Sequence, residues 1–306
     1  MHLRTGELSD VDKKDSRRLF VFGLGYVATA LATVLKNDGW QVAGTCRSES
    51  RRLALSALGF EACLFNGSQP IDKVERHIAA SDHFLCSIPP GEAGDPVLAC
   101  HDGHISKASQ IRWIGYLSTI GVYGDWNGKE VNESSPVRPR SDRARQRVIA
   151  ERSWLSLGKN AGHGVHVFRL AGIYGPNRNV IDQVRAGTAR RIDKVGHLFS
   201  RIHVDDIVST LCASIASPRP GAIYNVCDNE PASQAEVVAY ACTLLDVPKP
   251  EVIPFEEAVL DMSEMGQSFW ADNRRVSNRL LHRELGITLC YPTYREGLAT
   301  LIGDAK

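Results

Sequence analysis

No surplus of charge marks this chain: 36 lysines and arginines stand against 35 aspartates and glutamates. The overall balance therefore gives no reason to expect nucleic acid or an anionic membrane as a partner. Nor does the sequence contain a run of about 18 apolar residues, the length a membrane-spanning helix needs. The opening segment MHLRTGELSDVDKKDSRR lacks the apolar core of a secretory signal, so residues 1–17 are expected to be a polar leader on a cytoplasmic protein. Paired cysteines are missing as well. The eight cysteines, at 46, 63, 86, 100, 212, 227, 242 and 290, form no Cys-x-x-Cys pair and fall mostly inside apolar runs. This points to buried thiols in a reducing compartment and not to a disulfide framework. Two histidine-rich phrases, CHDGH at 100–104 and HGVH at 163–166, lack a second matching ligand pair, so no metal site is expected. Internal repeats and low-complexity tracts are absent too.

What is present is an alternation. Short apolar runs at 19–23 (LFVFG), 40–45 (WQVAGT), 62–65 (ACLF), 83–88 (HFLCSI), 111–119 (IRWIGYLST) and 165–172 (VHVFRLAG) are separated by amphipathic helical patterns. Strands alternating with helices predict an α/β fold, a doubly wound parallel sheet covered on both faces. After residue 176 the order loosens: a helix from about Val204, a strand at 222–226, a helix at 234–245, then a Pro-rich connector. A chain of 306 residues fits one two-lobed unit with a large core. The expected division is a nucleotide-binding domain over 18–175, to which 201–230 return, and a smaller C-terminal substrate lobe from 176–200 and 231–306.

The first strand runs into FGLGYVATALATVL, with Gly23, Gly25 and Ala28 in a G-x-G-x-x-A pattern opening an apolar helix. Such a turn lets Gly23 bend sharply and Gly25 admit a pyrophosphate, which the N–H groups around Tyr26 and Val27 at the helix start would meet. A tight turn in any α/β protein looks the same, but the strand before, the helix after and a second strand ending about twenty residues on favour a dinucleotide. That second strand ends GTCRSESRR, with Arg47 and Ser48 where an NAD site usually carries Asp or Glu. A guanidinium beside a hydroxyl suits a 2′-phosphate, so NADP(H) is expected over NAD(H). The bland reading is a solvated helix start. Ser87, Ile88, Pro89, Thr119, Ala171 and Ile173, at the carboxyl ends of later strands, are expected to complete the cofactor site.

Four later stretches, YLSTIGVYGD (116–125), FRLAGIYGPNRN (168–179), RIHVDDIV (201–208) and AIYNVCDNEPAS (222–233), together resemble the extended short-chain dehydrogenase/reductase, or NAD-dependent epimerase/dehydratase, family. The likeness runs from about Leu19 to the C-terminus. It implies a Rossmann-type domain holding the dinucleotide and a lobe closing over a small-molecule substrate, often a nucleotide sugar, in a monomer or homodimer. It also implies catalysis by a Ser or Thr ahead of Val-Tyr-Gly, then a Tyr and a Lys four residues apart on the next helix. The Tyr exchanges a proton with substrate while nicotinamide exchanges hydride. The Ser/Thr position falls on Thr119. Aligning Glu133, Pro136, Pro139 and Glu151 with the family's pattern puts the Tyr position at Arg143 and the Lys position at Arg147, within SDRARQRVIAER.

Arginine stays protonated to above about pH 12 and cannot replace Tyr as a proton donor. The chain therefore resembles atypical members that lack this pair. Arg143 and Arg147, one helical turn apart, either clamp an anionic substrate or belong to a solvated basic face paired with Asp142 and Glu151. Tyr123 and Tyr174 are the local phenols that would replace the missing acid, although their phrases are ones the family keeps for packing. His203 is read as structural, with Asp205 or Asp206 helping to cap the following helix. Two functions stay open: an NADP(H)-dependent oxidoreductase or epimerase acting on a small hydroxyl, carbonyl or nucleotide-linked compound, and an NADP(H)-binding protein without turnover.

Overall fold

The computed structural model describes residues 17–71 and 74–303. The expected polar leader therefore lies, apart from Arg17, outside the described residues. In chain order the strands are β1 (Arg18–Phe22), β2 (Gln41–Cys46), β3 (Glu61–Leu64), β4 (His83–Cys86), β5 (Trp113–Thr119), β6 (Glu130–Val131), β7 (Val165–Leu170), β8 (Gly172–Tyr174), β9 (Arg191–Asp193), β10 (Arg201–His203), β11 (Ile223–Val226), β12 (Val252–Pro254) and β13 (Arg275–Val276). Seven of them form one sheet in the order β11-β7-β5-β4-β1-β2-β3, every neighbouring pair parallel. This is the expected doubly wound fold. The order reverses between β1 and β4, which opens a crevice at the carboxyl ends of the strands.

The burial of β4, β5 and β7 at nearly every position explains why those strands read as unbroken apolar runs: helices cover both faces. The first eight α-helices are α1 (Tyr26–Asn37), α2 (Glu49–Ala57), α3 (Val74–Ala80), α4 (Pro96–Ser106), α5 (Asp142–Ala161), α6 (Val180–Arg185), α7 (Val204–Ala216) and α8 (Gln234–Leu244). α1 buries Val27, Ala28, Leu31, Ala32 and Leu35, a stripe at helical spacing. α5 begins at the Ser141 cap, whose hydroxyl accepts the Ala144 N–H, and ends at Gly162 in the left-handed region (φ 77°). Among the described residues no helix is long and apolar enough to cross a membrane.

Beyond the sheet, the short parallel pair β9–β12 and the helices α6 and α8 build the smaller lobe, and the pair β8–β10 lies at its border, with Ile202 in the large core and Tyr174 in the smaller. One of its cores gathers Tyr174, Ile181, Val237, Tyr294 and Leu298; another sets Ile192, Ala258 and Trp270 against Phe199 and Phe255. The division differs from the sequence expectation at one place. Val276, Leu281 and Leu289 pack into the large core with the sheet residues Leu19, Phe168 and Tyr224, so the chain crosses back to the large domain before its last helix, Tyr294–Thr300. Apolar residues at these positions show that the segment is buried, but their spacing does not say against which lobe.

Candidate active site

The turn between β1 and α1 is held by its neighbours. The Gly23 N–H donates to Thr45 Oγ1 (2.8 Å) and the Leu24 N–H to the Thr45 carbonyl (2.7 Å). Gly23 sits at φ 93°, and a Cβ there would lie 2.8 Å from Ile88 Cγ1. The end of β4, Ser87 and Ile88, thus packs directly against the turn, with the Ser87 N–H on the Phe22 carbonyl (2.9 Å). Gly25 is different: a Cβ built on it meets nothing within 4 Å. It is the N-cap of α1 and offers no side chain to the first-turn N–H groups. An open floor over bare helix-start donors fits a diphosphate. Val27 contributes only backbone here, its side chain being 5% exposed in the core. Tyr26 reaches across the crevice, donating its hydroxyl to the Pro176 carbonyl (2.9 Å), and Arg178 lies over its ring at 5.7 Å. Burial raises the Tyr26 pKa and Arg178 opposes that rise.

At the end of β2, Arg47 is exposed and, among the described residues, has no hydrogen bond or ion pair. Ser48 caps α2, accepting the Arg51 N–H, and its hydroxyl meets that of Ser50 at 3.1 Å. Glu49, two residues on, is engaged by Arg52 (Nε–Oε2 2.8 Å). Arg51 turns inward and braces the glycine turn, donating to the Leu24 carbonyl (3.2 Å) and Thr29 Oγ1 (2.9 Å). Its part is structural, which the sequence did not show because the helix had to be placed first.

A cleft of about 640 Å³ lies between the carboxyl ends of β5 and β7, the start of α5 and the smaller lobe. It is lined by Pro89, Thr119, Ala171, Ile173, Arg143 and Arg147, whereas Gly23, Gly25, Tyr26, Val27, Arg47, Ser48, Ser87 and Ile88 lie outside its lining. Thr119 Oγ1 accepts the Gly121 N–H (3.1 Å), which leaves its own proton for a ligand. Arg147 is anchored: Nη1 donates to the Leu117 carbonyl (2.8 Å) and Tyr116 hydroxyl (3.1 Å). Arg143 is exposed and has no protein partner among the described residues. Arg178, Arg201 and Arg274 also line the cleft, as do Phe199, Phe269 and Trp270. These were not singled out from the sequence; Arg201 opens RIHVDDIV and Arg178 lies in GPNRN, but nothing local marks them as facing one space.

The structure does not bring Tyr123 there, which corrects its reading as a replacement acid. Fully buried, it donates its hydroxyl to Asn225 Oδ1 (2.7 Å) and accepts from Arg169 Nη1 (2.9 Å). Burial raises its pKa further. Tyr174 does line the cleft, but burial, followed by the nearby Asp228 and Asp206 carboxylates, pushes its pKa far up. His203 is structural, though in another way than expected: its own Nδ1 caps α7 by accepting the Asp205 N–H (3.2 Å). Asp206 instead accepts the N–H groups of Cys290 (2.6 Å) and Tyr291 (3.1 Å), tying α7 to the C-terminal segment. Three of the four histidines in the two His-rich phrases are spent on packing and backbone, and the fourth, His104, meets Glu75 Oε1 at 3.1 Å. His101 stacks on Phe22, His163 Nε2 meets the Ile105 carbonyl, and His166 Nε2 accepts the Arg219 N–H.

The family model described as NAD dependent epimerase/dehydratase family matches residues 104–227, from α4 to the end of β11. The chain belongs to the NAD-dependent epimerase/dehydratase family. It is 44% identical to a functionally unknown conserved protein from Silicibacter pomeroyi DSS whose structure is solved, covering 93% of this chain and 98% of that one, with a TM-score of 0.84. It is also 26% identical over 290 residues to Protein YeeZ of Escherichia coli (strain K12), covering 90% of this chain and 97% of the relative. UDP-glucuronic acid 4-epimerase from Bacillus cereus, solved in complex with NAD, shares the fold at 15% identity, covering 92% and 96% of the two chains, with a TM-score of 0.72.

Proposed function

We propose that this protein is an NADP(H)-binding oxidoreductase or epimerase acting on a small hydroxyl or carbonyl compound, with Arg143 and Arg147 in the positions where the family's tyrosine and lysine are expected. The observation that carries the cofactor is the bare α1 start beside Gly25, continued at the β2 end by an unpaired Arg47 and the Ser48 hydroxyl. The first suits a diphosphate and the second a 2′-phosphate. When bound, the nicotinamide supplies hydride exchange. The residues of this chain orient the partner: Thr119 donates a hydrogen bond to a substrate oxygen, and Arg143 and Arg147 stabilise negative charge developing on it. Neither arginine exchanges a proton near neutral pH.

One observation favours the second reading, binding without turnover. Among the described residues lining the cleft, the side chains able to give up a proton, apart from hydroxyls, are Tyr174, held far above its ordinary pKa, and Asp272, 3.4 Å from Arg274. Fluorescence titration with NADPH and NADH tests the cofactor. NADPH is expected to bind about tenfold or more tightly, as one or more charge-assisted hydrogen bonds to the 2′-phosphate would give, and Arg47→Asp is expected to remove the preference. Equal affinities, or a preference unchanged in Arg47→Asp, would overturn the assignment. Oxidation of bound NADPH by a panel of small aldehydes and ketones separates turnover from binding alone.

A further inference from the structure

We propose that Arg143 and Arg147 form the seat of a doubly charged substrate oxyanion, a phosphate or compact dicarboxylate, on the α5 wall of the cleft. The proposal rests on the cleft being the substrate site of the reading above. Charge is the first argument. Five guanidinium groups, those of Arg143, Arg147, Arg178, Arg201 and Arg274, line the cleft against the single carboxylate of Asp272, which already faces Arg274 at 3.4 Å. Among the described lining residues there is no lysine or histidine, so the cleft cannot shed this charge by losing protons. Asp125 behind Arg274 and Asp95 behind Arg147 offset part of it, and an anion in the cleft would relieve the rest. Arg178 stands over Tyr26 beside the diphosphate turn, where the cofactor would meet it; the other four remain.

Geometry selects two of those four for one site. The carboxylates near the α5 arginines are hydrogen-bonded elsewhere: Asp142 to Arg145 (Nε–Oδ1 3.1 Å), Glu151 to Arg169 (2.7 Å), and Asp95, whose charge Arg147 feels, to Trp154 Nε1 and the Val97 and Leu98 N–H groups. Arg147 is fixed through Nη1 on the Leu117 carbonyl and Tyr116 hydroxyl, and its Nη2 has no partner among the described residues. Arg143, one turn earlier on the same face, is wholly unengaged. Ser141 and Ala144 line the cleft beside them, so the start of the 20-residue α5 lies at the same spot and adds its favourable field to theirs. A fixed fork, a free fork and a helix start converge where the family's proton-exchanging pair is expected. A single negative charge would leave surplus repulsion between the two forks, whereas a dianion balances them.

The test is isothermal titration of the NADP⁺-saturated protein with inorganic phosphate and with malonate at fixed ionic strength, with chloride and neutral xylitol as controls. One of the two dianions is expected to bind, and which one identifies the class. Arg143→Gln, at an exposed position, is expected to weaken it about tenfold or more while leaving NADP⁺ affinity unchanged. Arg147→Lys, which keeps charge but loses the fork, should weaken it too. Equal dianion affinity in wild type and Arg143→Gln overturns the proposal, as does xylitol binding as well as malonate, or neither dianion binding at all. If NADP⁺ itself fails to bind, the titration is run without it. Dianion binding that is then lost in Arg143→Gln keeps the seat and discards the cofactor reading.

Discussion

Gly23 and Gly25 stand two residues apart in the same motif, yet they are glycines for different reasons. At Gly23 the backbone is left-handed (φ 93°) and an added Cβ would collide with Ile88. At Gly25 the backbone is extended (φ −85°, ψ −162°) and the space above it is open. Gly25→Val should therefore fold with stability within about 0.5 kcal/mol of wild type, as substitutions away from packed groups usually do. It should lose binding of both NADPH and NADH, since the side chain occupies the diphosphate's place. Gly23→Val should instead lose stability, by about 1–3 kcal/mol for the backbone conformation alone. Thermal melts with and without NADPH separate the two, and a folded Gly25→Val protein that binds normally would remove the nucleotide site. The motif reveals the pair of glycines; which one faces ligand and which faces β4 is visible only with Ile88 in place.

At the scale of elements, α5 changes character along a single face. Along the row 143–147–151, Arg143 and Arg147 line the cleft at the helix start, whereas Glu151, one turn further on, is buried, accepts Ser118 Oγ (2.5 Å) and pairs with Arg169 of β7 (2.7 Å). Arg169 continues to the Tyr123 hydroxyl and that to Asn225 of β11, so a single buried chain of polar groups clamps α5, β5, β7 and β11 together. Every member has a partner, which offsets the desolvation cost of burying the charged pair. Arg169→Met would leave Glu151 charged and unpaired and is expected to cost about 3–5 kcal/mol. Adding Glu151→Met should recover part of that, read as urea midpoints. No change in Arg169→Met would mean the pair is not the clamp described. The arginine-rich run of α5 was plain in the sequence, but not which arginines are free. That depended on Glu151 turning inward to Arg169, a residue on another strand.

At the scale of the whole molecule, the two lobes meet across Asp228, just past β11, and Arg201 of β10. The Asp228 N–H donates to the Arg201 carbonyl (2.7 Å), while its buried Oδ2 has no hydrogen-bond partner among the described residues. Burial pushes the Asp228 pKa up to about 8, and Arg201 only partly offsets this. The folded protein then binds this proton more tightly than the unfolded chain. The resulting stability is whole below the ordinary carboxylate pKa of about 4 and is lost as pH rises through about 8. Asp228→Asn should lack this loss, so its melting temperature relative to wild type should rise between pH 5 and pH 8, by at least about 2 °C. A constant difference across that range would count against it. The sequence by itself determined the sheet, its alternation with helices and the glycine turn, because periodicity and turn chemistry are local. It also located Arg143 and Arg147 on one helix face. Only the tertiary structure decided that Arg178, Arg201 and Arg274 share their cleft, that Tyr123 is spent in the core, and that residues 276–289 return to the large domain. Each of these depends on contacts between elements far apart in the chain, and a side chain's partner across such a distance leaves no mark in the residues beside it.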